Sequence, residues 1–408
     1  MQGAWLNGPC TDPLGRMHRT ADGRILRALF VERAAEALEV LEHDAVRKLM
    51  DEDLVARMSR SGTRIEGYGA VVESARAPFD VPCGRFSFGA LRQAALGWLE
   101  IVRRLLAAGF CLTDAHYGNF MLFAGNRPRW IDLGSMRSAA VLPEERPFRA
   151  FALFWDGMAA PLLLLAREQA RARLARLAIA DQPLQGPSFA GNEPPLSVAE
   201  LVEPAKRELL SLCQGLAPED ALRRTAEFMA ERTEVPAVRP PAPRELDAKL
   251  SAHVTAVFGS RECASVACIG ADTYFGAVRA LAGRDVLVVE PSPSRVQELE
   301  LTLPDGAARS VAVCQEHPLN RLFRREGMRA DAVLAIDPVR ALAHHSGAEH
   351  ANIAELLADT AVRAVVVASP YEQRSPTRRM LEERFRSISL EHFGWPYGGW
   401  DVMVCAKD

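Results

Sequence analysis

The stretch LTDAHYGNFMLFAGNRPRWIDLGSM, residues 112 to 136, holds the polar side chains that decide how the first half of the chain is read. Asp114 and Asn119 are five residues apart in a turn, and Asp132 ends the apolar run PRWID. A hairpin around AGNRP, residues 124 to 128, would bring Asn119 and Asp132 together. The spacing therefore predicts one polar cluster at the base of a hairpin.

These three side chains have the chemistry that phosphoryl transfer requires. One carboxylate orients the acceptor hydroxyl or amine, while an amide and a second carboxylate hold the Mg²⁺ that bridges phosphates. Asp114 is the candidate catalytic carboxylate, and Asn119 and Asp132 are the candidate metal ligands. In the alternative interpretation they are ordinary turn and strand-end residues, and their two spacings and the intervening strand coincide by chance.

The sequence before this cluster predicts a hairpin and two helical segments. Residues 15 to 30 alternate polar and apolar side chains around an Asp-Gly dipeptide, which indicates two antiparallel strands. Apolar residues recur at helical spacing from 34 to 58. Residues 87 to 110 form a longer helical pattern, with Ser87 placed to cap it and Gly109 placed to end it.

The motifs of this first half resemble the protein-kinase-like fold, and more closely its aminoglycoside-phosphotransferase branch. There, Asp-x-His-x-x-Asn precedes Ile-Asp-x-Gly, as in residues 114 to 134 here. The hairpin at 16 to 30 carries no glycine-rich phosphate loop, and the sequence has no convincing Val-Ala-Ile-Lys strand. Arg27 is the basic residue in a suitable position, and a guanidinium does not replace an ammonium. The resemblance implies a kinase-like α+β domain over residues 1 to 234, and the departures predict that Mg-ATP does not bind.

The pattern changes after a proline-rich segment. Residues 235 to 246, VPAVRPPAPREL, have the proline density of a semi-rigid linker, and residues 197 to 232 before it read as helical. Residues 247 to 408 contain five short β-branched runs separated by helix-length segments. The runs are SVACIG, DVLVVE, SVAVCQE, ADAVLAID and VRAVVVAS. This rhythm predicts a second domain with a parallel sheet, so the fold class is α/β in two domains.

The start of this second domain resembles the first two motifs of class I S-adenosylmethionine-dependent methyltransferases. Glu290 ends a strand twenty residues after Gly270, a spacing that suits a carboxylate reaching two ribose hydroxyls at the carboxyl edge of a Rossmann-like sheet. The resemblance implies further cofactor contacts from Asp272 and Tyr274, and from Glu316 to the adenine amino group after the third strand.

The whole chain resembles a bacterial family in which a kinase-like region with Lys-Asp-x-x-x-Tyr-Asn and Phe-Ile-Asp precedes a methyltransferase domain opening with Leu-Asp-x-Gly-Ala-Asn-Thr-Gly. The corresponding stretches here are LTDAHYGN, WID and CIGADTY. Two departures matter. Cys268 stands where the resemblance implies an acid that pairs with the cofactor's amino group, and Tyr274 stands where it implies a glycine. They predict that the ribose half of a cofactor site is kept and the methyl-donor half is lost.

Composition narrows the classes of partner. A chain of 408 residues, 49% of them hydrophobic, is too long for a single hydrophobic core, so two domains are expected. A formal net charge of −3 does not provide the positive electrostatic field that attracts nucleic acid. The 8 cysteines are scattered without a CxxC pair, which favours a reducing, cytoplasmic compartment. The apolar run at 158 to 166 is half a membrane span, so no membrane partner is expected.

The sequence therefore predicts an enzyme, or an enzyme subunit, of natural-product biosynthesis that no longer transfers methyl groups. Asp114 would serve as the base, with Asn119 and Asp132 holding the substrate, in a substitution, cyclisation or elimination on an amine or hydroxyl. Two alternatives stay open. One is a working S-adenosylmethionine-dependent N- or O-methyltransferase of a small metabolite, which uses Gly270 and Glu290. The other is a non-catalytic scaffold subunit for a partner protein.

Overall fold

The structure, a computed structural model, describes the chain from residue 3 to residue 406 with gaps. The gaps are at 6–13, 22–23, 78, 80, 82, 84–85, 124–125, 142–145, 168–197, 235–244, 260–262, 271–277, 279–280, 282, 291–295, 297–298, 301–310, 315–329, 339–349, 371–373, 386 and 394–399. The described residues form a five-stranded sheet, two two-stranded sheets and several helices in the N-terminal part, and a seven-stranded sheet with helices in the C-terminal part.

The N-terminal part begins with a five-stranded antiparallel sheet in the order β1-β2-β3-β5-β4. Its strands are β1 Gly3–Trp5, β2 Gly15–Thr20, β3 Ile25–Leu29, β4 Met58–Arg60 and β5 Ala70–Ser74. Strands β2 and β3 confirm the predicted hairpin, although its Asp-Gly turn lies outside the described residues. The register places Met17 opposite Arg27, so this hairpin fixes the position of the Arg27 side chain.

Two helices follow the hairpin where the sequence predicted one continuous helix over residues 34 to 58. They are α1 Val31–Glu42 and α2 Asp44–Asp51. His43 separates them because its backbone is extended, with ψ at 136°, and its Nδ1 accepts a hydrogen bond from the Ala45 N–H. The apolar spacing continues across both helices, so periodicity alone did not reveal the break.

The long helix α3, Phe88–Ala107, confirms the prediction made from its ends. Ser87 is the N-cap, and its Oγ accepts a hydrogen bond from the Ala90 N–H at 3.1 Å. Gly109 follows the helix with φ at +78°, a conformation in which glycine is favoured after a helix end. The chain then enters the short strand β6, Phe110–Leu112, immediately before the polar cluster.

A small hairpin and two 3₁₀ turns build the region of the polar cluster. These elements are the 3₁₀ turn Tyr117–Asn119, β7 Phe120–Phe123, β8 Arg127–Trp130, the 3₁₀ turn Leu133–Ser135 and β9 Met136–Ser138. Phe120 and Trp130 are paired across β7 and β8, and their rings meet edge to face at 5.2 Å. Both rings are fully buried, so the base of the hairpin is anchored in the core.

The next helix contains Pro161, from which the sequence predicts a kink or a break. Helix α4, Arg146–Phe154, passes into a π-helical turn, Trp155–Ala159, and continues as α-helix over residues 160 to 167. Pro161 has no N–H to donate to the carbonyl of Gly157, and the helix widens at this point. The predicted break is therefore a wide turn inside one helix.

One helical stretch within the described part of the chain, Ala150–Arg167, has the length and apolar composition to cross a membrane, and 33% of it is buried.

Further helices are α5 Val198–Cys213 and α6 Pro218–Arg232, which confirm the helical interpretation of residues 197 to 232. Most of the predicted linker, residues 235 to 244, lies outside the described residues.

The C-terminal part is built on a seven-stranded sheet in the order β12-β11-β10-β13-β14-β16-β15. Its strands are β10 Ser265–Ile269, β11 Asp285–Val289, β12 Val311–Cys314, β13 Ala330–Ile336, β14 Ala361–Pro370, β15 Ser387–Phe393 and β16 Trp400–Ala406. The first five are parallel to one another and confirm the five predicted runs, while β15 and β16 form an antiparallel edge. This strand order is that of a doubly wound α/β sheet, which confirms the α/β class.

Helices cover this sheet, and its two faces belong to different apolar cores. The helices are α7 Glu245–Gly259, α8 His350–Thr360 and α9 Arg374–Glu382. Val266 and Cys268 lie on the same face of β10 and pack in the same core as Phe258 of α7. Ile269, on the opposite face, belongs to one continuous core with Trp130 of the N-terminal part. The division into a kinase-like and a methyltransferase-like domain stays a prediction.

Gly15 tests the strand register that positions Arg27. A Cβ at Gly15 would overlap the backbone carbonyl oxygen of Ala28, and a backbone atom cannot move aside without breaking the β2–β3 ladder. We expect Gly15→Ala to lower the free energy of unfolding by roughly 1–3 kcal/mol, measured by urea denaturation. Gly62→Ala is the matched control, because no described heavy atom lies within 4 Å of its Cβ position. Equal unfolding midpoints for the two variants would contradict this account.

Candidate functional site

The structure brings Asp114, Asn119 and Asp132 to one place. The Nδ2 group of Asn119 donates to the backbone oxygen of Asp114 at 3.1 Å and to Oδ2 of Asp132 at 3.4 Å. The backbone carbonyl of Asn119 also accepts a hydrogen bond from the N–H of Ile131, the residue before Asp132. Asn119 therefore ties the turn before β7 to the segment after β8, and the cluster lies at the base of the hairpin.

Asp132 is held by its own segment of backbone. Its Oδ1 accepts from the Gly134 N–H at 2.9 Å, which makes it the cap of the 3₁₀ turn that follows. Its backbone oxygen accepts from Nε1 of the buried Trp130 at 2.9 Å and from Oγ of Ser135 at 2.8 Å. These bonds fix both the main chain and the side chain of Asp132 before any ligand binds.

Arg27 reaches the same carboxylate from the antiparallel sheet. Its Nη1 donates to Oδ1 of Asp132 at 3.3 Å, and its Nε lies 3.3 Å from Sδ of Met17. The exposed fraction of the side chain is 10% for Arg27 and 20% for Asp132, so water screens the pair only partly. A guanidinium is always protonated, and Asp132 therefore has a permanent positive charge beside it.

The residues of the cluster do not fit a Mg²⁺ ion that bridges the phosphates of ATP. Oδ1 of Asp132 accepts from Arg27 and Gly134, and its Oδ2 faces the NH₂ group of Asn119. Mg²⁺ requires oxygen ligands in near-octahedral geometry, and a guanidinium at this distance repels a second cation. Within the described residues, no group of three or more His, Cys, Asp and Glu side chains is arranged to hold a metal ion.

Asp114 differs from Asp132 in its surroundings. The residue is exposed, and no described residue forms a hydrogen bond or ion pair with its carboxylate. Two residues further on, His116 uses Nδ1 to accept from the Gly118 N–H at 3.0 Å, and its ring packs against the tilted ring of Tyr117, with ring centroids 4.2 Å apart. His116 thus fixes the shape of the turn, and Asp114 is left as an exposed carboxylate on a rigid support.

The wide helical turn packs against this segment, a contact that the sequence did not predict. A Cβ at Gly157 would overlap Cδ1 of Tyr117, so the tyrosine ring lies directly on the helix backbone. The available signal was a glycine four residues before Pro161 in an otherwise helical run. The Arg27–Asp132 pair was also missed, because 105 residues separate the two partners.

The carboxyl edge of the large sheet contains part of the second predicted site. Gly270 and Glu290 follow the paired strand ends Ile269 and Val289, so they lie on neighbouring strands at one edge. Gly270 has φ at +71°, which favours glycine, and Glu290 is 1% exposed. The other predicted contacts, Asp272, Tyr274 and Glu316, lie outside the described residues.

The residues at this edge fit one half of S-adenosylmethionine better than the other. Glu290 follows the second strand at the position from which a carboxylate reaches ribose hydroxyls. Cys268 is fully buried, and burial raises the pKa of its thiol well above the ordinary value. The thiol therefore stays neutral and supplies no negative charge for the amino group of the cofactor.

No protein-family profile matches the chain, and no curated protein is detectably similar to it. Among solved structures it is similar to EvdMO1, with 20% identity over 45% of this chain and 47% of that chain and a TM-score of 0.33. The match therefore spans about half the length of EvdMO1. Magnesium protoporphyrin IX methyltransferase (ChlM) from Synechocystis PCC 6803 shares 12% identity over 53% of this chain and 100% of that chain, with a TM-score of 0.33. The bifunctional kinase-methyltransferase WbdD shares 12% identity over 39% of this chain and 38% of that chain, with a TM-score of 0.31. No residue correspondence follows from similarities this low.

Replacing the guanidinium tests whether it occupies the place of a metal ion. Arg27→Gln removes the positive charge from Asp132, so we expect the variant to lose about 1–3 kcal/mol of stability and to gain affinity for Mn²⁺. Thermal unfolding with and without Mn²⁺ measures both effects, and the wild type should show no Mn²⁺ effect.

The matched control combines Arg27→Gln with Asp132→Asn, which removes the carboxylate as well as its partner. This double variant should lose the response to Mn²⁺. A wild-type protein that Mn²⁺ stabilises through Asp132 would contradict the assignment of Arg27.

Proposed function

We propose that this chain is an enzyme, or an enzyme subunit, of small-molecule biosynthesis whose chemistry is carried by carboxylates of an N-terminal kinase-like cleft. In this proposal residues 1 to 234 form the kinase-like domain, and residues 247 to 408 form a methyltransferase-like domain that has stopped transferring methyl groups. One observation carries this proposal. Arg27 forms an ion pair with Asp132, whereas the Asp114 carboxylate is exposed and has no partner among the described residues.

The proposed reaction needs a base and a positioned substrate. Asp114 accepts the proton of an amine or hydroxyl, and the electron pair of that nitrogen or oxygen attacks a carbon of the same substrate. The bond from this carbon to its leaving group breaks, and the leaving group departs with the electron pair. In an elimination, Asp114 takes the proton from the carbon beside the leaving group, and a double bond forms.

The substrate would be held by the groups that surround Asp114. Both hydrogen bonds that Asn119 makes through its side chain use Nδ2, so its Oδ1 remains an acceptor for a substrate N–H or O–H. The turn is kept rigid by His116, which limits the orientations open to Asp114. Intramolecular substitution gains most from such positioning, since the two reacting groups already belong to one molecule.

A working methyltransferase is the second candidate function. It is favoured by Gly270 and Glu290, which lie at neighbouring strand ends as a ribose contact requires. It is disfavoured by the neutral thiol of Cys268 and by Tyr274, whose side chain stands in the sequence where a small residue is needed. A small-molecule substrate, a cytoplasmic location and the lack of nucleic-acid or membrane partners are parts of the leading proposal that rest on composition.

Calorimetry separates the two functions. We expect the wild type to bind S-adenosylmethionine and S-adenosylhomocysteine more weakly than a Kd of about 1–10 μM. The reason is that the part of the site facing the methionine portion of the cofactor lacks charge and space. Tyr274→Gly should bind more tightly than the wild type, and Tyr274→Phe should not. Micromolar binding by the wild type would favour the methyltransferase instead.

Asp114→Asn tests the base. The physiological substrate can be found by following which amine- or hydroxyl-bearing metabolite the wild type consumes, using mass spectrometry. We expect Asp114→Asn to lower its turnover by at least about 100-fold without changing the unfolding midpoint, since the amide cannot accept the proton. The control is Asp51→Asn, an exposed acid at the end of α2, which should retain turnover. Full turnover in Asp114→Asn would remove the proposal.

A further inference from the structure

Glu300 belongs to the C-terminal part of the chain, but its carboxylate lies among groups of the N-terminal part. Its Oε1 accepts from Nδ2 of Asn126 at 2.7 Å and also from Oγ of Ser87. Its Oε2 accepts from the backbone N–H of Gly89 at 3.2 Å. Three groups that are distant from Glu300 in sequence thus meet at one carboxylate.

Two of these groups, Ser87 and Gly89, belong to the start of helix α3. The first N–H groups of a helix have no partner within the helix, and the helix dipole favours a negative charge at that end. Ser87 satisfies the N–H of Ala90, and Glu300 satisfies the N–H of Gly89. Glu300 therefore completes the cap of the helix whose other end leads into Asp114.

The third group lies in the turn of the β7–β8 hairpin. Asn126 adopts φ at +56°, a conformation that fixes the turn, and its side chain points to Glu300 and to Ser87. Strand β7 begins directly after Asn119, and strand β8 ends shortly before Asp132. A change in the position of Asn126 is therefore passed to both side chains at the base of the hairpin.

The Glu300 carboxylate occupies space that a side chain at position 89 of α3 would fill. Gly89 lies in the first turn of α3, where glycine favours the helical state less than alanine does, and a Cβ there would lie 2.6 Å from Oε2 of Glu300. Gly97, in the same helix, would place a Cβ 3.4 Å from Cδ2 of Leu54, an ordinary contact. Burial raises the pKa of Glu300, while hydrogen bonds from the Ser87, Gly89 and Asn126 groups lower it.

The segment that carries Glu300 rests on the large sheet. Val296 and Leu299 are buried in the same core as Val286 and Val288 of β11. Glu290, the candidate ribose contact, follows β11 and precedes Glu300 by ten residues. Glu300 is thus attached to the strand that leads to the carboxyl edge of the sheet.

We propose that Glu300 is a positioning residue through which the C-terminal part orders the N-terminal cleft. Its carboxylate fixes the start of α3 and the turn of the hairpin, and these two elements set the relative positions of Asp114, Asn119 and Asp132. The proposal rests on the proposed function for the role of that cleft, but the coupling itself is a property of the fold.

Gly89→Ala is the sharpest test. Its methyl group displaces only the flexible end of the Glu300 side chain, whereas helix propensity alone would make alanine stabilise α3. We expect hydrogen exchange of the β7 and β8 amides to become at least about tenfold faster in Gly89→Ala and in Glu300→Gln. Exchange in β2 and β3 should stay unchanged, which shows that the protein remains folded. In the matched control Gly97→Ala, β7 and β8 should exchange as in the wild type.

Two further measurements separate positioning from a merely structural role. Because alanine at position 89 acts by removing the Glu300 carboxylate from its place, the double variant Gly89→Ala, Glu300→Gln should exchange no faster than either single variant. Turnover of the wild-type substrate should fall at least about tenfold in Gly89→Ala relative to Gly97→Ala, at a temperature well below the unfolding midpoints of both variants.

Several outcomes would overturn the proposal: hairpin exchange in Gly89→Ala equal to that in Gly97→Ala, additive effects in the double variant, or turnover that falls only as the midpoint falls. If Glu300→Gln fails to fold, Asn126→Gly takes its place, since glycine keeps the positive φ and removes the Nδ2 donor. The exchange measurements use no substrate. They therefore fail or succeed independently of the chemistry assigned to Asp114.

Discussion

The ion pair between Arg27 and Asp132 is the contact on which the candidate site depends. It joins the antiparallel sheet to the segment after the hairpin, and it places a permanent positive charge on the carboxylate that a metal-dependent phosphotransferase would need. The carboxylate of Asp114, by contrast, is exposed and forms no ion pair or hydrogen bond with a described residue. The two carboxylates of the cluster therefore differ in their availability for chemistry.

The sequence predicted those parts of the fold that depend on neighbouring residues. The ends of α3 at Ser87 and Gly109 and the five parallel strands are local patterns, and they are confirmed. The break at His43 was missed because the apolar spacing continues across it. Within the candidate site, the proximity of Asn119 and Asp132 followed from one hairpin. The contacts of Arg27 and Glu300 did not, because they join residues more than a hundred positions apart.

In the second half of the chain, the environment of Cys268 shows which kind of side chain the packing of the sheet accepts. Cys268 lies in the middle of a buried strand core, where a thiol packs as a small apolar group. An acid at this position would need a charged partner to offset its burial, and the thiol needs none. The packing of the sheet is therefore satisfied by the neutral thiol at this position.

The contact between Tyr117 and the backbone at Gly157 also restricts the length of the loop that contains Asp114. The aromatic ring lies against the helix backbone at Gly157, in a space that a residue with a side chain would fill. An insertion or deletion in the loop would pull the ring out of this space. Sequence change in this loop should therefore favour replacement of residues over changes in length.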